Sequence, residues 1–92
     1  TPLHNAAWAG SGDLAELLIS YGHPVDIRDP RYDATPLEYA LHDCLVEKRH
    51  PEGEFARVVK ALLAAGSPLK DVKYPTGDAA IDEALHPYIE AG

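Results

Sequence analysis

The sequence is short of the residues that mark several common classes of protein. Its only cysteine is Cys44, so no disulfide can form within the chain and the fold must rest on an apolar core. That usage suits a reducing compartment, and the expected location is intracellular, in the cytoplasm. Basic residues are scarce as well: 8 Lys plus Arg against 15 Asp plus Glu leave a formal net charge of -7. Such a surface repels a phosphate backbone, so nucleic acid is not an expected partner. Long apolar runs are missing too. The longest, Ala61 to Ala65, falls far short of the roughly 20 residues of a membrane-spanning helix, and no membrane contact is expected. Tyr74 to Gly92 holds Asp78, Asp82, Glu83 and Glu90 but no Lys or Arg, which would favour a basic partner at that end. The 92 residues suffice for one domain at most.

Signatures of catalysis are absent in the same way. The sequence contains no glycine-rich phosphate loop, no Gly-x-Ser-x-Gly elbow and no histidine-glutamate zinc motif. Its five histidines, His4, His23, His42, His50 and His86, include no pair at i, i+4, and His42 and Cys44 fall on different faces of a helix. Glu38 and His42 do stand at i, i+4 and could hydrogen-bond, but no nucleophile is implied beside them. Cys44 has apolar helical neighbours in Leu41 and Leu45 and reads as a small hydrophobe. The expectation is therefore no enzyme, no metal and no cofactor.

What the sequence does contain is a repeat. Thr1-Pro2-Leu3 returns as Thr35-Pro36-Leu37, 34 residues later, a period that indicates stacked units. Each copy opens a helix. In Thr35-Pro36-Leu37-Glu38 the threonine can accept from an orphan N–H, the proline suits the first helical position, and the glutamate can reach back, which makes a capping box. His4 replaces the glutamate in the first copy and can make a similar local bond. Gly10 ends the first helix. Ser11 caps a second helix, with Asp13 near its positive end, and Gly22 closes it. Leu14, Leu17 and Leu18, at i, i+3 and i+4, are expected to be its buried stripe. The later counterpart is Val58, Val59, Leu62 and Leu63, closed by Gly66.

The two stripes stand 44 residues apart while the threonines stand 34 apart, so ten residues are inserted in the second unit. They fall between Leu41 and Arg57. The spacing of Leu41, Cys44, Leu45 and Lys48 predicts a lengthened helix from Pro36 to Lys48, a tight turn at His50-Pro51, and a second helix from Glu52 to Ala65. The insertion itself reads as a loop extension. After Gly66 the pattern decays: Asp78 to Leu85 reads as a helix with Thr76 or Asp78 as cap and Ala80, Ile81, Ala84 and Leu85 as core, and Pro87 could start a last short helix. Terminal units lose their pattern because one face meets water.

Thr1-Pro2-Leu3-His4, Ala6-Ala7, Gly10, Leu14, Leu17-Leu18, Gly22, Val25 and Asp29 together resemble the ankyrin repeat. The resemblance implies an all-α solenoid of stacked antiparallel helix pairs with hairpin-like finger loops. Three segments are expected in a single domain: 1–34 as a first unit lacking its leading finger, 35–66 as a second unit with the insertion, and 67–92 as a degenerate capping unit. Since Thr1 falls in the middle of a repeating unit, further repeats are expected upstream. The finger from Asp29 to Ala34 departs from the pattern by one extra residue and by having no glycine.

The resemblance also implies that a protein partner lies in the concave groove between fingers and first helices. Mapped onto this sequence, that surface comprises Asn5, Trp8 and Ala9, the finger residues Pro30, Arg31 and Tyr32, and Tyr39, His42 and Asp43. Trp8 carries most weight, since tryptophan and arginine dominate interface hot spots; it could equally pack on Tyr39 or His42 and staple the stack. Arg31 offers a planar fork for a carboxylate, and Tyr32 is expected to pack on a neighbour. The expected function is a protein-protein interaction module, monomeric or part of a longer array. Two other readings stay open: a regulatory or targeting appendage of a larger enzyme, and a structural cap of a longer array.

Overall fold

The computed structural model describes residues 1–48, 53–69 and 72–90. Among them the chain forms five α-helices and one π-helical turn, and no strand: α1 Pro2–Ala9, α2 Gly12–Ser20, α3 Pro36–His42 running into the π turn Asp43–Glu47, α4 Phe55–Ala64 and α5 Ala79–Glu90. The fold is all-α, as the repeat implied.

The helix starts follow from local chemistry. Thr1 Oγ1 accepts from the His4 amide at 3.2 Å with Pro2 next to the cap, and Ser11 does the same for Leu14 at 3.4 Å. At Thr35 the box is complete: Thr35 Oγ1 accepts from the Glu38 amide at 3.3 Å, and Glu38 Oε1 accepts from the Thr35 amide at 2.8 Å. Asp78, not Thr76, caps α5, accepting from the Ile81 amide at 3.1 Å. Thr76 instead donates through its amide and hydroxyl to Asp82 Oδ1, at 2.8 and 2.6 Å. Those bonds hold the Asp82 carboxyl below its usual range.

The helices pack as two pairs and a closing helix. The first helices α1 and α3 lie against each other, α2 lies against α4, and α5 covers the far side of α4. Leu3, Ala6, Ala7, Ala15, Leu37, Ala40, Val58, Val59, Leu62, Ile81 and Leu85 are buried to 1 % exposure or less and make one continuous core. Burying a side chain such as Leu62 contributes about 2 kcal/mol from apolar area alone.

Several expectations are corrected. The stripe of α2 is not buried: Leu14 and Leu17 are 43 and 49 % exposed, Leu18 is half-buried, and the position that faces the core is Ala15. Helical spacing identifies residues that share a face, and among the described residues no helix covers that face. The matching stripe of α4 is buried as expected. Ala80 is exposed and outside the core of α5. Pro87 starts no new helix; it sits inside α5, which runs on to Glu90. The carbonyl it deprives of a partner belongs to Glu83, an exposed residue open to water.

The inserted segment lengthens the first helix of the second pair, but its last turn is π-helical, ending at Lys48 with φ 54°. The expected turn at His50-Pro51 and the start at Glu52 lie outside the described residues; the second helix is seen from Phe55. Where the chain returns, it runs hard against the first pair. The Glu54 amide donates to the Gly10 carbonyl at 2.7 Å, and a Cβ built on Gly10 would lie 2.7 Å from Gly53 Cα. Arg57, one turn into α4, reaches Asp13 at 2.7 Å and Glu16 at 2.8 Å on α2.

Candidate functional site

The candidate surface is built on the finger and the wall of first helices beside it. Asp29 organises the finger. Its carboxylate accepts from the Tyr32 amide at 2.8 Å, its carbonyl accepts from the Asp33 amide at 2.8 Å, and its own amide donates to the Ala34 carbonyl at 3.0 Å. Aspartate followed by proline is a turn start with a mechanism: the short carboxylate bonds the backbone ahead while Pro30 presets its φ. Asp33 takes the left-handed conformation, φ 51°, that a glycine would otherwise supply. The finger therefore closes without glycine and without a strand ladder. Arg28 braces it from below, donating to the Asp33 carbonyl at 2.8 Å and to Glu38 at 3.3 Å.

Tyr39 joins the finger to α3. Its ring meets His4 edge-on at 4.8 Å and Tyr32 at 6.2 Å, and its hydroxyl stands beside the Asp29 carboxylate. Burial first, then the neighbouring carboxylate, push the Tyr39 phenol up to about 12. The Tyr39 hydroxyl beside it, with backbone amides at the finger, holds the Asp29 carboxyl below its ordinary value. His4 completes the joint. Its Nε2 lies 2.8 Å from the Ala34 carbonyl and its Nδ1 2.6 Å from Thr1 Oγ1, so a neutral ring protonated at Nε2 satisfies all three atoms. The helix-start histidine thus also pins the next finger.

The proposed contact residues divide into three groups. Asn5, Trp8 and Ala9 share the solvent side of α1, with Trp8 37 % exposed. Pro30, Arg31 and Tyr32 are exposed on the finger, the Arg31 guanidinium standing 5.9 Å from the centre of the Tyr32 ring. The structure thus brings Arg31, Tyr32 and Tyr39 together. Tyr32 packs on Tyr39 yet stays 67 % exposed. His42 is exposed but turns to Glu47, Nε2 to Oε1 3.3 Å. The pairing with Glu38 that its spacing allowed does not form, because Glu38 serves the Thr35 cap and Arg28.

Asp43 is a correction. It is fully buried and cannot face a partner. Pro36, Ala40 and Asp43 stand at i, i+4 and i+7, so Asp43 continues a buried face, not the exposed one of His42. Sequence reasoning also missed Asp29, Arg28 and Glu38 as the finger's supports. The Asp-Pro pair was the available signal for the first; the Arg28–Glu38 contact had none.

Beside His42 lies an open depression of about 400 Å³, lined in part by Leu41, Leu45, Val46, Val72 and Pro75. Nothing in the site resembles an activated nucleophile. Burial first, then the charges of Asp78 and Asp43, push the Cys44 thiol up, away from thiolate. Among the described residues, no group of three or more His, Cys, Asp and Glu could hold a metal ion, and no helix is long and apolar enough to cross a membrane.

The family model described as Ankyrin repeat matches residues 1–30. No curated protein and no solved structure matches the chain.

Proposed function

We propose, from the premise that residues 1–30 are an ankyrin repeat and that ankyrin repeats are protein-interaction modules, that this chain binds a protein partner along the wall of α1 and α3 and the finger between them. The contact set is Asn5, Trp8 and Ala9, Pro30, Arg31 and Tyr32, with His42 at the edge. Tyr39 supports the set more than it contacts the partner. Segments 1–34, 35–66 and 67–92 act as two repeat units and a closing unit.

The observation that carries this reading is the anchored finger. Arg31 and Tyr32 are exposed, while Asp29 and Tyr39 hold the turn beneath them. A loop fixed before binding loses little conformational entropy on binding, so exposed aromatic and guanidinium groups there convert contact into affinity efficiently. The net charge of -7 favours a basic partner.

The test is photo-crosslinking. A crosslinking amino acid at Asn5 should capture a defined protein from the native cell extract, whereas the same group at Lys60, exposed on α4, should not. Equal capture at both positions would count against the groove.

A further inference from the structure

At the end of α3 opposite the finger, the π turn and the first turns of α4 and α5 border an open cleft of about 670 Å³. Sites for small molecules run from roughly 300 to 1,000 Å³. The floor is apolar: Phe55 and Ile81 are buried there, Ala56 and Cys44 are half-buried, and Ala80 is exposed. Burial and the charges of Asp78 and Asp43 hold Cys44 as the neutral thiol, so its sulfur belongs to the apolar surface. The inserted segment makes this wall, because it carries α3 on past His42 into the π turn.

Three of the chain's eight Lys and Arg residues line the cleft, beside three carboxylates. Most of these charges are already engaged. Arg57 is held by Asp13, Glu16 and Glu54. Asp78 caps α5 by accepting from the Ile81 amide, and Asp43 is fully buried. Lys48 and Lys60 are left: both are exposed, and among the described residues neither is in an ion pair. The two ammonium groups therefore set the sign of the mouth, while Asp43 and Asp78 repel an anion from the inner end. A ligand that suits both ends is apolar inside and negative at the mouth.

We propose that this cleft binds a small organic acid, with its apolar body on Phe55, Ala56 and Ile81 and its carboxylate at the mouth with Lys48 and Lys60. A chain of net charge -7 repels anions in general, so a site for one requires unengaged cations gathered in one place, as they are here. The cleft shares no residue with the proposed partner contacts, so either reading can fail alone.

The probe is naphthoate, titrated into the isotope-labelled chain and followed by backbone amide shifts, with the neutral naphthalenemethanol and the cationic naphthylmethylamine alongside. Naphthoate should shift the amides of Cys44, Ala56 and Ile81 saturably, the alcohol should bind more weakly, and the amine weakest of the three. Lys48→Gln together with Lys60→Gln should weaken naphthoate by about tenfold and leave the alcohol unchanged. An amine that binds as tightly as the acid overturns the inference, as does a double variant that holds naphthoate undiminished. So does the absence of any saturable shift with naphthoate. Shifts confined to Asn5, Tyr32 and their neighbours would also overturn it, since the acid would then sit in the groove.

Discussion

The phenol of Tyr39 stands beside the carboxylate of Asp29, where the wall of α3 meets the base of the finger. The two groups set opposite pH limits. Tyr39 is raised to about 12 in the fold from about 10 in an unfolded chain, so its contribution is intact below pH about 10 and is lost between about 10 and 12. Asp29 is lowered, so its contribution is intact above its unfolded value of about 4 and is lost as pH falls below that. Absorbance titration should find one tyrosinate forming near 12, and Tyr39→Phe should remove that step and raise the Asp29 carboxyl toward its ordinary value.

Gly10 is where the inserted segment meets the first pair. Its φ of 71° and the 2.7 Å between a built Cβ and Gly53 Cα leave no room for a side chain. Gly10→Ala should lower stability by about 2 kcal/mol or more, from left-handed strain plus displacement of the Glu54 bond. Gly22, with φ 86° and nothing within 4 Å of a built Cβ, should suffer only the strain. Urea denaturation of both variants separates the two effects.

Arg57 holds α4 to α2 through a fork on Glu16, both bonds 2.8 Å, and a contact with Asp13 at 2.7 Å. The fork pulls the Glu16 carboxyl down and raises Arg57. All three side chains are open to water, so the interaction is screened by salt. Arg57→Ala should lower the urea midpoint at low ionic strength, and the difference should shrink in about 1 M salt, where screening acts within about 3 Å.

Leu14 and Leu62 look alike in a periodicity reading but differ in burial, 43 % exposed against 0 %. Leu62→Ala should cost about 2 to 5 kcal/mol. Leu14→Ala should stay within about 0.5 kcal/mol. Thermal unfolding of the two variants decides it.

These cases mark how far the sequence could be read. Thr1, Ser11 and Thr35 were legible as helix starts because capping depends on residues three apart. The stripe of α4 was legible because both of its sides are covered, by α2 and by α5. The same pattern on α2 was misread, since spacing assigns a common face but does not say whether a neighbour covers it. Asp43 was open to a better reading: its spacing from Pro36 and Ala40 places it on the buried face. The closeness of Gly10 to Gly53, and of Arg57 to Glu16, joins residues more than 40 apart, which no local rule reaches.

The central claim is that a protein partner is held by Trp8 and the finger at Arg31. The most direct measurement is capture from native extract by the immobilised chain in four forms: unchanged, Trp8→Ala, Arg31→Ala and Lys60→Ala, each checked for an unchanged circular-dichroism spectrum. Loss of the same bound protein with Trp8→Ala and with Arg31→Ala, and its retention with Lys60→Ala, is the expected result. Undiminished binding by both Trp8→Ala and Arg31→Ala would contradict the account.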